Sequence, residues 1–227
     1  MNTEDWLADT RRSYDTVATS YADLVRDILD EAPYERAVLA LFADLIQTAG
    51  GGPVADIGCG PGRITAHLRE LGVDAFGVDL SPGMIDVARR DYPDLRFEVG
   101  SMTDLDLADA SMAGLVAWYS LIHVPDDEID SVFQHFWRVL RPGAPLLLGF
   151  HVGDESRLKT EGYGGHPMNV YVHRRQPGRV AGWLKHAGFT VEAQMTLSST
   201  ESALGGILFA RHPTAARCLP RTGTMPT

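Results

Sequence analysis

The residues best suited to chemistry lie in the run Asp56-Ile57-Gly58-Cys59-Gly60-Pro61-Gly62. Glycines at alternate positions make a turn without β-carbons, so a ligand can lie directly against the backbone. The run follows the apolar Val54-Ala55-Asp56-Ile57 and precedes a helical pattern from Arg63 to Leu71, which places the turn at the carboxyl end of a strand. Open α/β sheets bind nucleotide-type ligands there. A dinucleotide fingerprint of the form G-x-G-x-x-G would put its last glycine at Arg63; the spacing here is G-x-G-x-G. A second acid, Asp79, ends the next strand 21 residues after Gly58, where a carboxylate can accept from both hydroxyls of a ribose. Farther along, His123 follows the fourth apolar run and His151 ends the fifth, each a candidate to take a proton from a hydroxyl or amine. For His123 a purely structural role is equally open.

Positioning these groups requires alternating strands and helices. Residues 4–31 read as one helix, and Pro33 opens a second that runs to Gly50. Strands are expected at 54–57, 75–78, 95–99, 115–119 and 145–150, with Ser81 capping the helix begun by Pro82. A helix from about 127 to 140 follows, and its start gives Asp126 and Asp127 a helix-capping role rather than a metal-binding one. The pattern predicts an α/β, Rossmann-like, mostly parallel sheet with helices on both faces. Residues 151–176 break the rhythm with three of the eight histidines, several glycines and one possible strand at 169–173. A helix near 179–186 and strands at 189–197 and 205–210, the last open to either direction, complete the sheet. A single domain is expected, divided into an N-terminal helical cap (1–50), a cofactor-binding core (51–150), a substrate-cap insertion (151–176), the end of the sheet (177–211) and a flexible tail (212–227).

Loop, preceding acid and second-strand acid in this register resemble motif I of the class I S-adenosylmethionine-dependent methyltransferases, in their small-molecule branch. The resemblance spans roughly residues 10–211. It implies S-adenosyl-L-methionine as the cofactor, held by Asp56, Gly58, Cys59, Gly60, Gly62 and Asp79. Leu80 and Met84 would pack on adenine, with Ser101 and Met102 in the loop after the third strand. Ser101 stands where most relatives carry an acid. Trp118 begins the segment that the family places near the methionine end of the cofactor, and Tyr14 and Tyr21 belong to a helix that closes over it. The expected reaction is in-line O- or N-methylation of a small acceptor, with His166, Tyr171 and Arg174 binding that acceptor beneath the 151–176 cap. A nicotinamide-dependent oxidoreductase and a non-catalytic binding protein on the same fold are the competing readings.

Composition narrows the partners. The 227 residues carry a formal net charge of −10, which repels phosphate backbones and argues against nucleic acid. Residues 151–227 are the exception, with nine bases against five acids; Arg174, Arg175 and Arg179 read as a solvated surface or as an anion site in the cap. No run of eighteen apolar residues occurs, and Met1-Asn2-Thr3-Glu4-Asp5 is unlike a signal peptide, so a cytoplasmic protein without membrane attachment is expected. Two cysteines give no disulfide framework, no C-x-x-C occurs and no histidine pair has ligand spacing, so no metal is expected.

Overall fold

The structure is a computed structural model that describes residues 3–198 and 204–214. Helix α1 (Thr3–Val25) and α2 (Pro33–Thr48) precede β1 (Pro53–Ile57), α3 (Arg63–Glu70), β2 (Asp74–Asp79), α4 (Pro82–Asp91), β3 (Phe97–Val99) and β4 (Gly114–Trp118). After a single 3-10 turn (Leu121–His123) come α5 (Ile129–Val139), β5 (Pro145–Val152), β6 (Ser156–Gly162), β7 (His166–His173), α6 (Pro177–His186), β8 (Thr190–Ser198) and β9 (Leu204–Arg211). Seven strands form one sheet in the order β3-β2-β1-β4-β5-β9-β8. The first five are parallel, and β9 runs antiparallel to both β5 and β8.

This is the Rossmann-like α/β sheet expected from the alternation, and its composition explains the layers. β4 and most of β5 are apolar on both faces because helices cover both. On one side Leu39, Phe42 and Ile46 of α2 and Ile64 and Leu68 of α3 close the core. On the other, Phe133 and Phe136 of α5 pack with Val180 and Leu184 of α6. Helix α1 joins the second layer only through Trp6 and Leu7. Its Val17, Ala18 and Ala22 meet Met84 and Val87 of α4 and Met168 and Val170 of β7.

Two elements differ from the sequence reading. Helix α1 stops at Val25 instead of continuing to 31, and turns follow. Its continuation would put Asp27, Asp30 and Glu31 at a helix C-terminus, where the macrodipole disfavours acids. Arg36 donates to the carbonyls of Leu29 and Asp30 and holds the turn instead. Residues 151–176 form a two-stranded hairpin, not a loop with one strand. Its turn uses three successive positive φ values, at Tyr163, Gly164 and Gly165. The hairpin grips α1 from outside: the Asn169 N–H donates to Ser13 Oγ at 2.8 Å, and Asn169 Nδ2 donates to Asp9 at 2.8 Å. Most of the expected tail, residues 215–227, lies outside the described residues. Among the described residues no helix is long and apolar enough to cross a membrane.

Candidate active site

The parallel register brings the ends of β1 and β2 level, and the Gly58 and Cys59 N–H groups both donate to the Val78 carbonyl, at 2.7 and 3.1 Å. From there the chain reverses through Gly58, Gly60 and Gly62, with φ of 75°, 53° and 86°. A β-carbon on Gly58 would fall 2.2 Å from that of Ser120, and one on Gly62 would fall 2.7 Å from the Phe97 ring. Gly60 faces open space, its nearest neighbour being Tyr21 at 3.8 Å. The turn thus packs tightly on two sides and bares its backbone on the third.

That bare side forms the floor of a crevice of about 910 Å³, open mouth included. Asp79 sits at its centre. One carboxylate oxygen accepts from the Gly60 N–H at 2.7 Å and the other from the Ser81 N–H at 2.9 Å. Burial pushes this carboxyl up to about 6, a rise that the two N–H donors oppose. Asp56 lies deeper: Thr65 Oγ1 donates to it at 2.7 Å, its other oxygen has no protein partner, and burial pushes it up to about 7. Cys59 is buried in the floor, and burial pushes its thiol well above the ordinary value. Leu80, Met84, Ser101 and Met102 form one wall. Met84 belongs equally to the core beneath α1, and Ser101 shares its hydroxyl with Thr103 at 2.7 Å.

The opposite wall follows β4. Trp118 ends the strand, Tyr119 takes a left-handed φ of 52°, and Ser120 Oγ donates to the Ile57 carbonyl at 2.7 Å. Helix α1 closes the crevice with Trp6, Tyr14 and Tyr21. It is anchored there by Asp15, which accepts from Ser81 Oγ at 2.6 Å and from the Gly83 N–H at 2.9 Å. Ser81 in turn caps α4, as expected, accepting from the Met84 N–H. His123 lines the crevice beside Tyr14, its Nε2 2.6 Å from the Tyr14 hydroxyl and its Nδ1 2.8 Å from the Tyr171 carbonyl.

Twelve of the thirteen residues expected to hold the cofactor therefore line this crevice, with His123; Gly62 packs against the Phe97 ring instead. The other expected site residues are not in its walls. His151 packs on the Tyr119 ring at 5.0 Å, one side chain away. His166 is exposed, Tyr171 is partly exposed and stacks on His173, and Arg174 folds against Gly153. Alternation along β7 turns Met168 and Val170 toward α1, so Tyr171 contributes only its carbonyl. Arg175 and Arg179 form no free anion site: both pair with Asp126. Asp126 therefore holds two arginines, and the residue at the start of α5 is Glu128, which makes no side-chain cap.

Sequence reasoning missed Arg63 as a site residue, using it only to exclude a dinucleotide loop. Its Nη1, like Nε1 of Trp6, is buried in the crevice wall without a protein partner. Buried donors of this kind mark a surface built to meet a polar ligand. Among the described residues no cluster of three or more His, Cys, Asp or Glu is placed to hold a metal.

The 3-2-1-4-5 parallel order, the Gly-rich first turn and the acid at the end of β2 are those expected of a class I methyltransferase fold. Residues 54–143 match the family model described as "Methyltransferase domain". The chain is 32% identical over 143 residues to a demethylmenaquinone methyltransferase of Beutenbergia cavernae, covering 62% of this chain and 57% of that one. The chain thus spans little more than half of that relative's length. Magnesium protoporphyrin IX methyltransferase from Synechocystis, solved with bound S-adenosylmethionine, superimposes with a TM-score of 0.70 at 16% identity, over 93% of this chain and 100% of that one. The 1,6-didemethyltoxoflavin-N1-methyltransferase of Burkholderia thailandensis, solved with its substrate and S-adenosylhomocysteine, gives 0.66 at 21% identity, over 94% and 91%. At these identities the two structures establish the fold.

Proposed function

We propose that this chain transfers the methyl group of S-adenosylmethionine to an oxygen or nitrogen atom of a small molecule. The observation that carries the reading is Asp79, a buried carboxylate held by two backbone N–H groups beside bare glycine backbone. Each of its oxygens keeps a lone pair for a ribose hydroxyl. The unpartnered Arg63 donor suits a carboxylate-bearing ligand, and Leu80 and Met84 offer an apolar face to a base. The donor supplies a methyl carbon on a sulfonium centre, whose C–S bond breaks with its electron pair left on sulfur. The chain supplies alignment and the exclusion of water by α1, the terms that dominate when the electrophile is already reactive. His166, Tyr171 and Arg174 are retained only as outer residues of the hairpin, which braces the lid.

Calorimetry with S-adenosylmethionine, S-adenosylhomocysteine and NAD tests the donor. The first two bind and NAD does not. Release of S-adenosylhomocysteine across a panel of phenols, alcohols, amines, carboxylates and thiols then tests transfer. Binding without release from any acceptor would leave a non-catalytic protein, and tight NAD binding would end the assignment.

Asp79 also predicts a pH dependence. Hydroxyl donors favour the ionised carboxylate, and its folded value of about 6 is raised by burial. Affinity for S-adenosylhomocysteine therefore falls as pH drops through 6 and is roughly tenfold lower at pH 5 than at pH 8. The free protein behaves oppositely. Asp79 and Asp56 both have raised folded values, so ionising them costs stability as pH rises from about 4 to 7. The melting-temperature gap between bound and free protein should widen with pH; a constant gap would remove Asp79 from binding.

A further inference from the structure

Both ring nitrogens of His123 are already committed. A carbonyl oxygen only accepts, so the 2.8 Å contact with Tyr171 requires Nδ1 to carry the proton. Nε2 is then a bare lone pair, and the Tyr14 hydroxyl at 2.6 Å must donate to it. Burial agrees, lowering the imidazole to about 4 and keeping it neutral. His123 consequently has no lone pair left for an incoming acceptor. Tyr14 does: it lines the crevice, and its phenol oxygen gives its proton to His123 and retains lone pairs. Its ring is fixed edge-on by Tyr21 at 5.9 Å, and Tyr163 of the hairpin turn is a further polar neighbour. Three elements thus converge on one proton path, α1 through Tyr14, the turn after β4 through His123 and β7 through the Tyr171 carbonyl.

Building on the methyl-transfer reading above, we propose that the acceptor is a hydroxyl compound, that Tyr14 is the group touching it, and that His123 acts through Tyr14 in a two-step proton relay. The acceptor hydroxyl donates to Tyr14 Oη. As its oxygen forms the bond to the methyl carbon, its proton passes to Tyr14 Oη while the Tyr14 proton passes to His123 Nε2. The C–S bond breaks in the same step with its pair on sulfur. One positive charge disappears at the sulfonium and one appears on the imidazolium, so charge balances without a further reactant. The Tyr171 carbonyl faces the Nδ1–H and stabilises the cation formed, the usual task of the group behind a histidine base. Tyr14 is then the catalytic residue and His123 a positioning residue that stores the proton. The arrangement favours acceptors that arrive protonated, and it offers nothing to a carboxylate or a thiolate.

Tyr14→Phe keeps the ring and removes the relay atom, while His123→Gln keeps a hydrogen-bonding side chain that cannot store a proton. Both are assayed with S-adenosylmethionine and two acceptors: a simple phenol, un-ionised at pH 7.5, and its dinitro analogue, ionised there. On the phenol each variant loses about 10²–10⁴-fold in kcat with KM within about threefold. On the ionised analogue, which has no proton to give, the loss is below about tenfold. Calorimetric affinity for S-adenosylhomocysteine stays within about threefold in His123→Gln, which separates this proposal from the donor assignment. Equal losses on both acceptors, no loss on the phenol, or collapse of donor affinity in His123→Gln would each overturn the relay and leave His123 as a brace between α1 and β7. Wild-type protein that binds the donor yet methylates only amines, thiols or carboxylates would overturn it too, with the wider methyl-transfer reading intact.

Discussion

Replacing Asp79 with alanine weakens S-adenosylhomocysteine binding by about 1.5–3 kcal/mol, a loss of roughly 10- to 150-fold in Kd, the range for hydrogen bonds to a charged group. The carboxylate is preorganised, since the Gly60 and Ser81 N–H groups fix both oxygens before any ligand arrives. No side-chain entropy is then lost on binding, and the full benefit of the ribose contacts is realised. Asp79→Asn should fall between the two. It retains an acceptor, but its amide donates toward one N–H where the carboxylate accepted. Calorimetry gives the affinities, and a thermal melt of each free variant shows whether folding is intact. Folded variants with wild-type affinity would move the ribose site away from β2.

Much of this site was legible because its demands fall on residue types rather than on partners. A turn with φ of 75°, 53° and 86° that approaches Ser120 and Phe97 closely admits little but glycine, so the conformation is written in the letters. Strands β1, β4 and β5 are apolar because they are covered on both faces, which a window of residues reveals. The hairpin was not legible for the converse reason. Ser156–Gly162 is polar and exposed along nearly its whole length, and it is a strand only because β7 pairs with it. Composition suggested an acceptor cap; pairing and packing set β7 against α1, contacts between segments about 156 residues apart that no local pattern records.

His123 shows the boundary inside a single residue. Its position after β4 was readable, but its partner Tyr14 lies 109 residues earlier and its second partner is a backbone carbonyl. No local pattern records either. Asp126 was assigned from its place before a helix, and the pairing with Arg175 over 49 residues took precedence over capping. In each case a long-range polar contact overrode a sound local rule.

The same contact makes Arg175 the most exacting structural test. Its side chain is only 3% exposed, and its guanidinium donates to the Leu121 carbonyl at 2.9 Å, to the Val124 carbonyl, and to Asp126 at 2.9 Å. Those carbonyls bracket the turn that carries His123. Arg175→Ala removes the donor to the buried Val124 carbonyl, at a cost of about 1–3 kcal/mol. It leaves the Leu121 carbonyl with only the Val124 N–H at 3.2 Å, takes one of its two arginines from the Asp126 carboxylate and empties the space beside Trp183. A net destabilisation of about 3–5 kcal/mol is expected, since the exposed half of Asp126 can still find water. For a domain of this size that lowers Tm by roughly 6–20 °C. Arg175→Lys should recover only part, because a point ammonium cannot span the fork that reaches both carbonyls and the carboxylate. Denaturant titrations read the effect as a shift in midpoint at constant m. A shift equivalent to less than about 1 kcal/mol would mean that the turn after β4 holds itself, and that Arg175 is a bystander to the placement of His123.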